Sequence, residues 1–244
     1  PRRPLPAARI LDEKQAAGVT RQGLQSEADS LRLLKEAGVP VVDFAVCGSA
    51  DEAESAFRSF GGAVVVKGCA ADVPHKSEHG LVHLNLKSVD EVRRAAQDCL
   101  AVLDSLGSSN PAVVVAPMVR GVHELMLGAT VDPVFGPAVM IGEGGTLVEI
   151  RRDTVTLLAP FTESEARDAL RGLRIAPLLD GYRDRPPLDV GALARAAASL
   201  GDFVWRHRDN IHSVDINPVM AMRDGGGVVA VDAVVEFSEG GRHG

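Results

Sequence analysis

The stretch Ala63-Val64-Val65-Val66-Lys67, with Gly61-Gly62 before it and Gly68 after it, constrains the whole chain. It is too short for a stable helix and too apolar to lie in water, so it reads as a buried strand. Ala112 to Ala116 repeats the pattern. Buried strands need amphipathic elements to cover them, and the neighbouring sequence supplies these. Ser49 with Glu52 and Ser88 with Glu91 form capping boxes. They open helices that stop near Phe60 at Gly61-Gly62 and near Leu106 at Gly107. A further helix starts at Ser26, places Ala28, Leu31 and Leu34 at helical spacing, and ends at Gly38. Strands are expected at Val41 to Cys47 and at Leu81 to Leu86, the latter with Val82, Leu84 and Leu86 on one face and His83 and Asn85 on the other.

Beyond residue 118 the rhythm changes, with strands first and helices later. His123 to Val131, Pro137 to Ile141, Leu147 to Ile150 and Thr154 to Ala159 are strand candidates between Gly and Pro punctuation. Thr162 with Glu165 caps a helix to about Arg171, an Ala-rich helix spans Val190 to Arg206, and strands near Ile211 to Asn217 and Val228 to Phe237 close the chain. The resulting division is a leader at 1–23, an N-terminal helical segment at 24–40 packing on the second lobe, a first lobe at 41–117, a second lobe at 118–237 and a tail at 238–244. The fold class is α/β, or α+β, in two lobes.

Composition removes several functions. The 244 residues carry 26 Lys+Arg against 33 Asp+Glu, a net charge of −7, which disfavours a polyanion-gripping surface. With 4% aromatics, stacking platforms for single-stranded nucleic acid are poorly supplied. No apolar run is long enough to span a bilayer and the start lacks a signal-peptide core, so a cytoplasmic protein without a membrane is expected. Cys47, Cys69 and Cys99 are widely spaced and form no CxxC pair, so they read as reduced, mostly buried thiols.

Chemistry concentrates in a few places. Lys67 ends its buried strand, where an ammonium either meets an anion such as phosphate or snorkels to solvent. The polar segment Gly68 to Gly80, GCAADVPHKSEHG, is long for a strand connection and is a candidate site. His75, His79 and His83 recur every four residues, but Pro74 and the alternating strand after Leu81 oppose a helical zinc face. His75 alone reads as a base, a nucleophile or an ordinary loop histidine. Pro117 ends the run VVVAPMV and leaves backbone groups near Met118 able to read an adenine edge, with Glu124 close by or simply at the surface. Asp215 and Asn217 share a strand face, Pro218 is expected to end that strand, and Asp232 joins them if the last strand pairs back. Such hard oxygens suit Mg²⁺, or else form a polar face in water.

Three segments together resemble the ATP-grasp part of the ADP-forming acyl-CoA synthetases, relatives of the succinyl-CoA synthetase beta subunit: VVVKGCAADVPHKSEHGLV at 64–82, VVVAPMVRGVHELMLGATVDPVFGPAVMIGEGGTLVEI at 113–150, and VDINPVM with VAVDAVV near the end. The resemblance implies an ATP-grasp fold with ATP or ADP and magnesium in the cleft between lobes. It implies that Lys67 touches nucleotide phosphates, that Ala116, Pro117 and Met118 form the adenine hinge, and that Glu124 lies near the ribose. It makes Asn217 and Asp232, with Asp215 beside them, the magnesium ligands and His75 the phosphoryl carrier. It also implies a partner subunit or domain that binds CoA and a small carboxylic acid. Where the family's loop continues with a Gly-Gly pair, this chain has Gly80-Leu81. Two other readings stay open: an ATP-binding regulatory domain of a protein acetyltransferase, and an ATP-grasp ligase joining a carboxylate to an amine.

Overall fold

The computed structural model describes residues 22–73, 79–145 and 153–238. The order is β1 (Gly23–Leu24), α1 (Glu27–Glu36), β2 (Ala45–Cys47), α2 (Ala50–Phe60), β3 (Val64–Cys69), β4 (Val82–Leu86), α3 (Val89–Ser105) and β5 (Ala112–Pro117). There follow β6 (His123–Asp132), β7 (Gly136–Glu143), β8 (Thr154–Leu158), α4 (Glu163–Leu170), α5 (Ala176–Leu179), α6 (Val190–Arg206), β9 (Ile211–Ala221), β10 (Val228–Ala230) and β11 (Val234–Phe237). The expected strand at Leu147 to Ile150, most of the leader and nearly all of the tail lie outside the described residues.

The smaller lobe is an antiparallel sheet in the order β2-β5-β3-β4. Helices α2 and α3 cover one face, where Ala53, Ala56, Val92, Ala96 and Cys99 meet Val64, Val66, Val113 and Val115. Both helices start where the caps predict. The Ser49 hydroxyl accepts from the Glu52 amide, and Ser88 with Glu91 completes a reciprocal box. Gly61 closes α2 in the left-handed region, φ 68°, which glycine adopts without a Cβ penalty.

The alternation expected in β4 fails midway. Val64 pairs with Leu86 but Val66 pairs with His83, so β4 holds one extra residue, and Asn85 takes a positive φ of 60°. This is a bulge. It shifts the side-chain phase, leaving Leu84 exposed and setting His83 opposite Val66 on the helix-covered side.

The larger lobe is a seven-stranded antiparallel sheet in the order β1-β11-β9-β6-β7-β8, with β10 also on β9. Its core face packs on α1, α4 and α6 through Leu31, Leu34, Leu127, Ile141, Leu170, Leu193, Leu200 and Ile216. Each leucine buried this fully contributes about 1.5–3 kcal/mol of transfer free energy. α1 thus precedes the small lobe in sequence but packs with the large one, and β1 pairs with β11.

Two strand boundaries differ from expectation. β9 runs through Pro218 to Ala221, because a bulge opposite β6 accommodates the residue that cannot donate to a ladder. The predicted strand from Val228 to Phe237 is two strands, broken at 231–233. The short helix α5 has no counterpart in the sequence reading; both carboxylate oxygens of the buried Asp153 accept amides of Arg174 and Ile175 at its entry, at 2.8 and 2.9 Å.

All three cysteines are buried and none forms a disulfide. Burial, aided by neighbouring carboxylates, pushes the Cys47 and Cys99 thiols up to about 11. Among the described residues no helix is long and apolar enough to cross a membrane.

Candidate active site

The parity of β3 places the central side chain of the site. Val64 and Val66 face the helices, so Val65, Lys67 and Cys69 face the other lobe. There Val65, Cys69, Val114 and Ala116 pack with Ala28 of α1 and Val42, flanked by Phe44, Val119, Val229 and Val231. This apolar seam joins the lobes, and Lys67 stands within it.

Lys67 is buried, with 8% of its side chain exposed, and among the described residues its ammonium makes three contacts. Nζ lies 2.9 Å from Glu27 Oε1, donates to the Val231 carbonyl at 2.9 Å, and lies 3.2 Å from Asp232 Oδ2. Three contacts match an ammonium's three donors. All three partners lie outside the small lobe. Burial alone would push the Lys67 pKa down, but the charges of Glu27 and Asp232 outweigh it and hold the group above its ordinary value, protonated. The break between β10 and β11 has a role here: residues 231–233 leave the ladder and present a carbonyl and a carboxylate to the lysine.

Asp215 sits on β9 opposite Gly128 of β6 and Val234 of β11. Its flanking residues Val214 and Ile216 point into the core, so Asp215 faces the cleft side with Glu124 and Met126. The side chain reaches solvent, yet crowding by surrounding protein, and then the nearby Asp232 charge, raise its pKa above the usual carboxylate value. The β9 bulge lies at Asn217-Pro218, since Ile216 and Val219 both return to the core. Asn217 Oδ1 accepts the Gly145 amide at 3.0 Å. A Cβ on Gly145 would come within 2.5 Å of Glu124 Oε2, and one on Gly144 would collide with the Leu125 backbone. The glycine loop therefore lies directly against Glu124 and Asn217, a closeness that side chains would prevent.

The hinge segment is only partly available. Ala116 is buried in the seam, Pro117 pairs with Val64, and the Met118 amide donates to the Ala63 carbonyl at 2.8 Å. That donor is engaged within the sheet, so any contact this segment makes with a base uses other backbone atoms. His75 falls outside the described residues, while Asp72, just before that gap, accepts from Ser108 and Ser109 after α3. Leu81 is fully buried and packs on Gly68, where a Cβ would approach its side chain to 3.0 Å; a glycine in its place would lose that packing. The structure thus gathers Lys67, Asp232 and Asp215 in one region and links Glu124 to Asn217 through Gly145.

Glu27 is the site residue that the sequence did not disclose. An acid in the first turn of a helix is ordinary, because it complements the helix dipole, and nothing in the spacing indicates that this one is 2% exposed.

Two carboxylates that repel one another, with an amide oxygen nearby, form a hard-oxygen set that suits a magnesium ion. Among the described residues there is no group of three or more His, Cys, Asp or Glu able to hold a metal unaided. A set of this kind is completed by a ligand that brings its own oxygens.

Comparison with known proteins gives a consistent result. A family model described as an ATP-grasp domain matches residues 16–237. The beta subunit of acetate–CoA ligase [ADP-forming] II from Pyrococcus furiosus is 32% identical over 232 residues, covering 93% of this chain and 96% of that protein. Trans-feruloyl-CoA synthase from an unknown prokaryotic organism is 37% identical over 216 residues, covering 87% of this chain but 30% of the longer relative. Among solved structures, the dinucleotide-forming acetyl-coenzyme A synthetase 1 of Ca. Korarchaeum cryptofilum, in complex with coenzyme A, Ca-AMPCP and HgCl+, superposes with a TM-score of 0.81 at 30% identity. That match covers 88% of this chain and 93% of the other. The same synthetase with coenzyme A and Mg-AMPPCP, its phosphohistidine segment pointing towards the nucleotide binding site, matches with a TM-score of 0.74 at 31% identity, covering 86% and 91%.

Proposed function

Because the chain belongs to the ATP-grasp family, we infer that it is the nucleotide-binding subunit of an ADP-forming acyl-CoA synthetase, a ligase that converts acid, CoA and ATP into acyl-CoA, ADP and phosphate. The observation that carries this reading is the match to an acetate–CoA ligase beta subunit along nearly the whole length of both chains. The cleft chemistry supports it: a buried, protonated lysine lies against Asp232, with Asp215 near that carboxylate and the amide oxygen of Asn217 two residues further along β9.

His75 is the phosphoryl carrier. An unprotonated imidazole nitrogen attacks the γ-phosphorus, the N–P bond forms as the bond to the ADP oxygen breaks, and the other ring nitrogen releases its proton to solvent. Lys67 stabilises the charge on the transferring group, which is most of what this reaction asks of a protein. Asp215, Asp232 and Asn217 would hold magnesium, whose contribution when bound is to offset phosphate charge. Glu124 orients the ribose, and the Ala116–Met118 segment bounds the base.

The acyl and CoA pockets belong to a partner. The relatives of similar length are named as beta subunits, and relatives such as the feruloyl-CoA synthase are about three times longer than the matched segment. Reconstitution tests the reading. Acetate, CoA and Mg-ATP should yield acetyl-CoA and ADP when a CoA-binding alpha subunit is added, and none with either subunit alone. ADP release that requires an amine acceptor instead of CoA would overturn it.

A further inference from the structure

Among the partners of Lys67, one differs from the other two. Glu27 has 1% of its side chain exposed and Val231 offers a backbone carbonyl, so neither can leave without dismantling the seam. Asp232 is 35% exposed and makes the longest contact, 3.2 Å. It also lies close enough to Asp215 to repel it. A phosphate oxygen reaching Lys67 must replace one of these three contacts, because the ammonium has no fourth donor.

We propose that Glu27 is a positioning residue for phosphoryl transfer: with the Val231 carbonyl it anchors Lys67 permanently, so that Asp232 is the partner that leaves. On binding of the magnesium nucleotide, Asp232 passes from the ammonium to the cation, and the freed Lys67 donor turns to phosphate. Glu27 alone balances the charge of the buried ammonium during this exchange, one carboxylate against one ammonium. Without that charge, Asp232 would be the sole carboxylate among the described residues balancing Lys67 and would be hard to withdraw. This assignment rests on the nucleotide reading given above.

The test is a magnesium titration of binding of a fluorescent ADP analogue to the intact chain, which requires no turnover. Groups that support a metal ligand from behind typically change metal affinity about 10- to 100-fold when altered. Glu27→Gln should therefore raise the magnesium concentration for half-maximal nucleotide binding by about tenfold or more. Glu27→Asp, which keeps the charge, should restore most of the difference and remains informative if the glutamine variant does not fold. Wild-type magnesium dependence in Glu27→Gln, or an equal defect in both variants, would overturn the role of Glu27. Failure of the wild-type chain to bind the magnesium nucleotide would instead refute the nucleotide reading itself.

Discussion

Replacement of Lys67 by methionine is the most informative single perturbation of the seam. Methionine matches the lysine stem in length and fills the same space, so the change removes the charge and its three contacts rather than packing. Glu27, at 1% side-chain exposure, then loses the ammonium 2.9 Å away. Removal of one partner from a buried pair typically costs about 3–5 kcal/mol, because the other charge stays behind in a poorly solvating environment. For a chain of this size each kcal/mol moves the Tm by about 2–4 °C, so a fall of roughly 6–20 °C is expected. The partial exposure of Asp232 places the value toward the low end, since water can solvate that carboxylate. Adding Glu27→Gln to Lys67→Met should recover most of the loss, because a pair replaced at both ends leaves no isolated charge. Urea unfolding and calorimetry of wild type, both single variants and the double give the full cycle. A Lys67→Met chain within about 1 kcal/mol of wild type, or a double variant no more stable than that single, would refute a buried pair holding the lobes together.

Other substitutions probe the remaining contacts. The raised pKa of Asp215 means the folded chain binds its proton more readily than the unfolded chain, so stability falls as pH rises from the usual carboxylate value through the raised one. Asp215→Asn should abolish that decline, making the ion-free protein more stable than wild type at neutral pH, and should reduce the Tm gain on adding Mg-ADP; thermal unfolding across pH 3–7 checks both. Gly145→Ala must adopt φ +82° and bring its Cβ against Glu124, so about 1–2 kcal/mol of strain and weaker nucleotide binding are expected by calorimetry. Asp153→Ala strips both acceptors from the Arg174 and Ile175 amides and should cost about 1–3 kcal/mol in urea unfolding, with nucleotide affinity unchanged.

Local signals in the sequence translated directly into structure. Ser26, Ser49, Ser88 and Thr162 each accept the amide three residues on, because a cap is a short-range chemical event. The apolar runs at 64–66 and 112–116 became the centre of the small sheet for the same reason that they looked buried. Bulges were not legible. The extra residue in β4 exposes Leu84, and the one in β9 lets Pro218 sit inside a strand, and both depend on the register of a neighbouring strand. The break at 231–233 is likewise set by where Lys67 lies, since it brings Val231 and Asp232 to an ammonium far away in sequence. Lys67, Asp215 and Asp232 were readable as candidates because charge in an apolar strand context is unusual. Glu27 was not, because a first-turn acid is commonplace until tertiary packing buries it.

The central claim, that this chain accepts phosphate from ATP on His75, is tested most directly by incubating it alone with γ-labelled ATP and Mg²⁺ and locating the label. Wild type should carry acid-labile label confined to His75, lost in His75→Ala and removed by adding ADP. No label on the wild-type chain, or label that persists in His75→Ala, would contradict it.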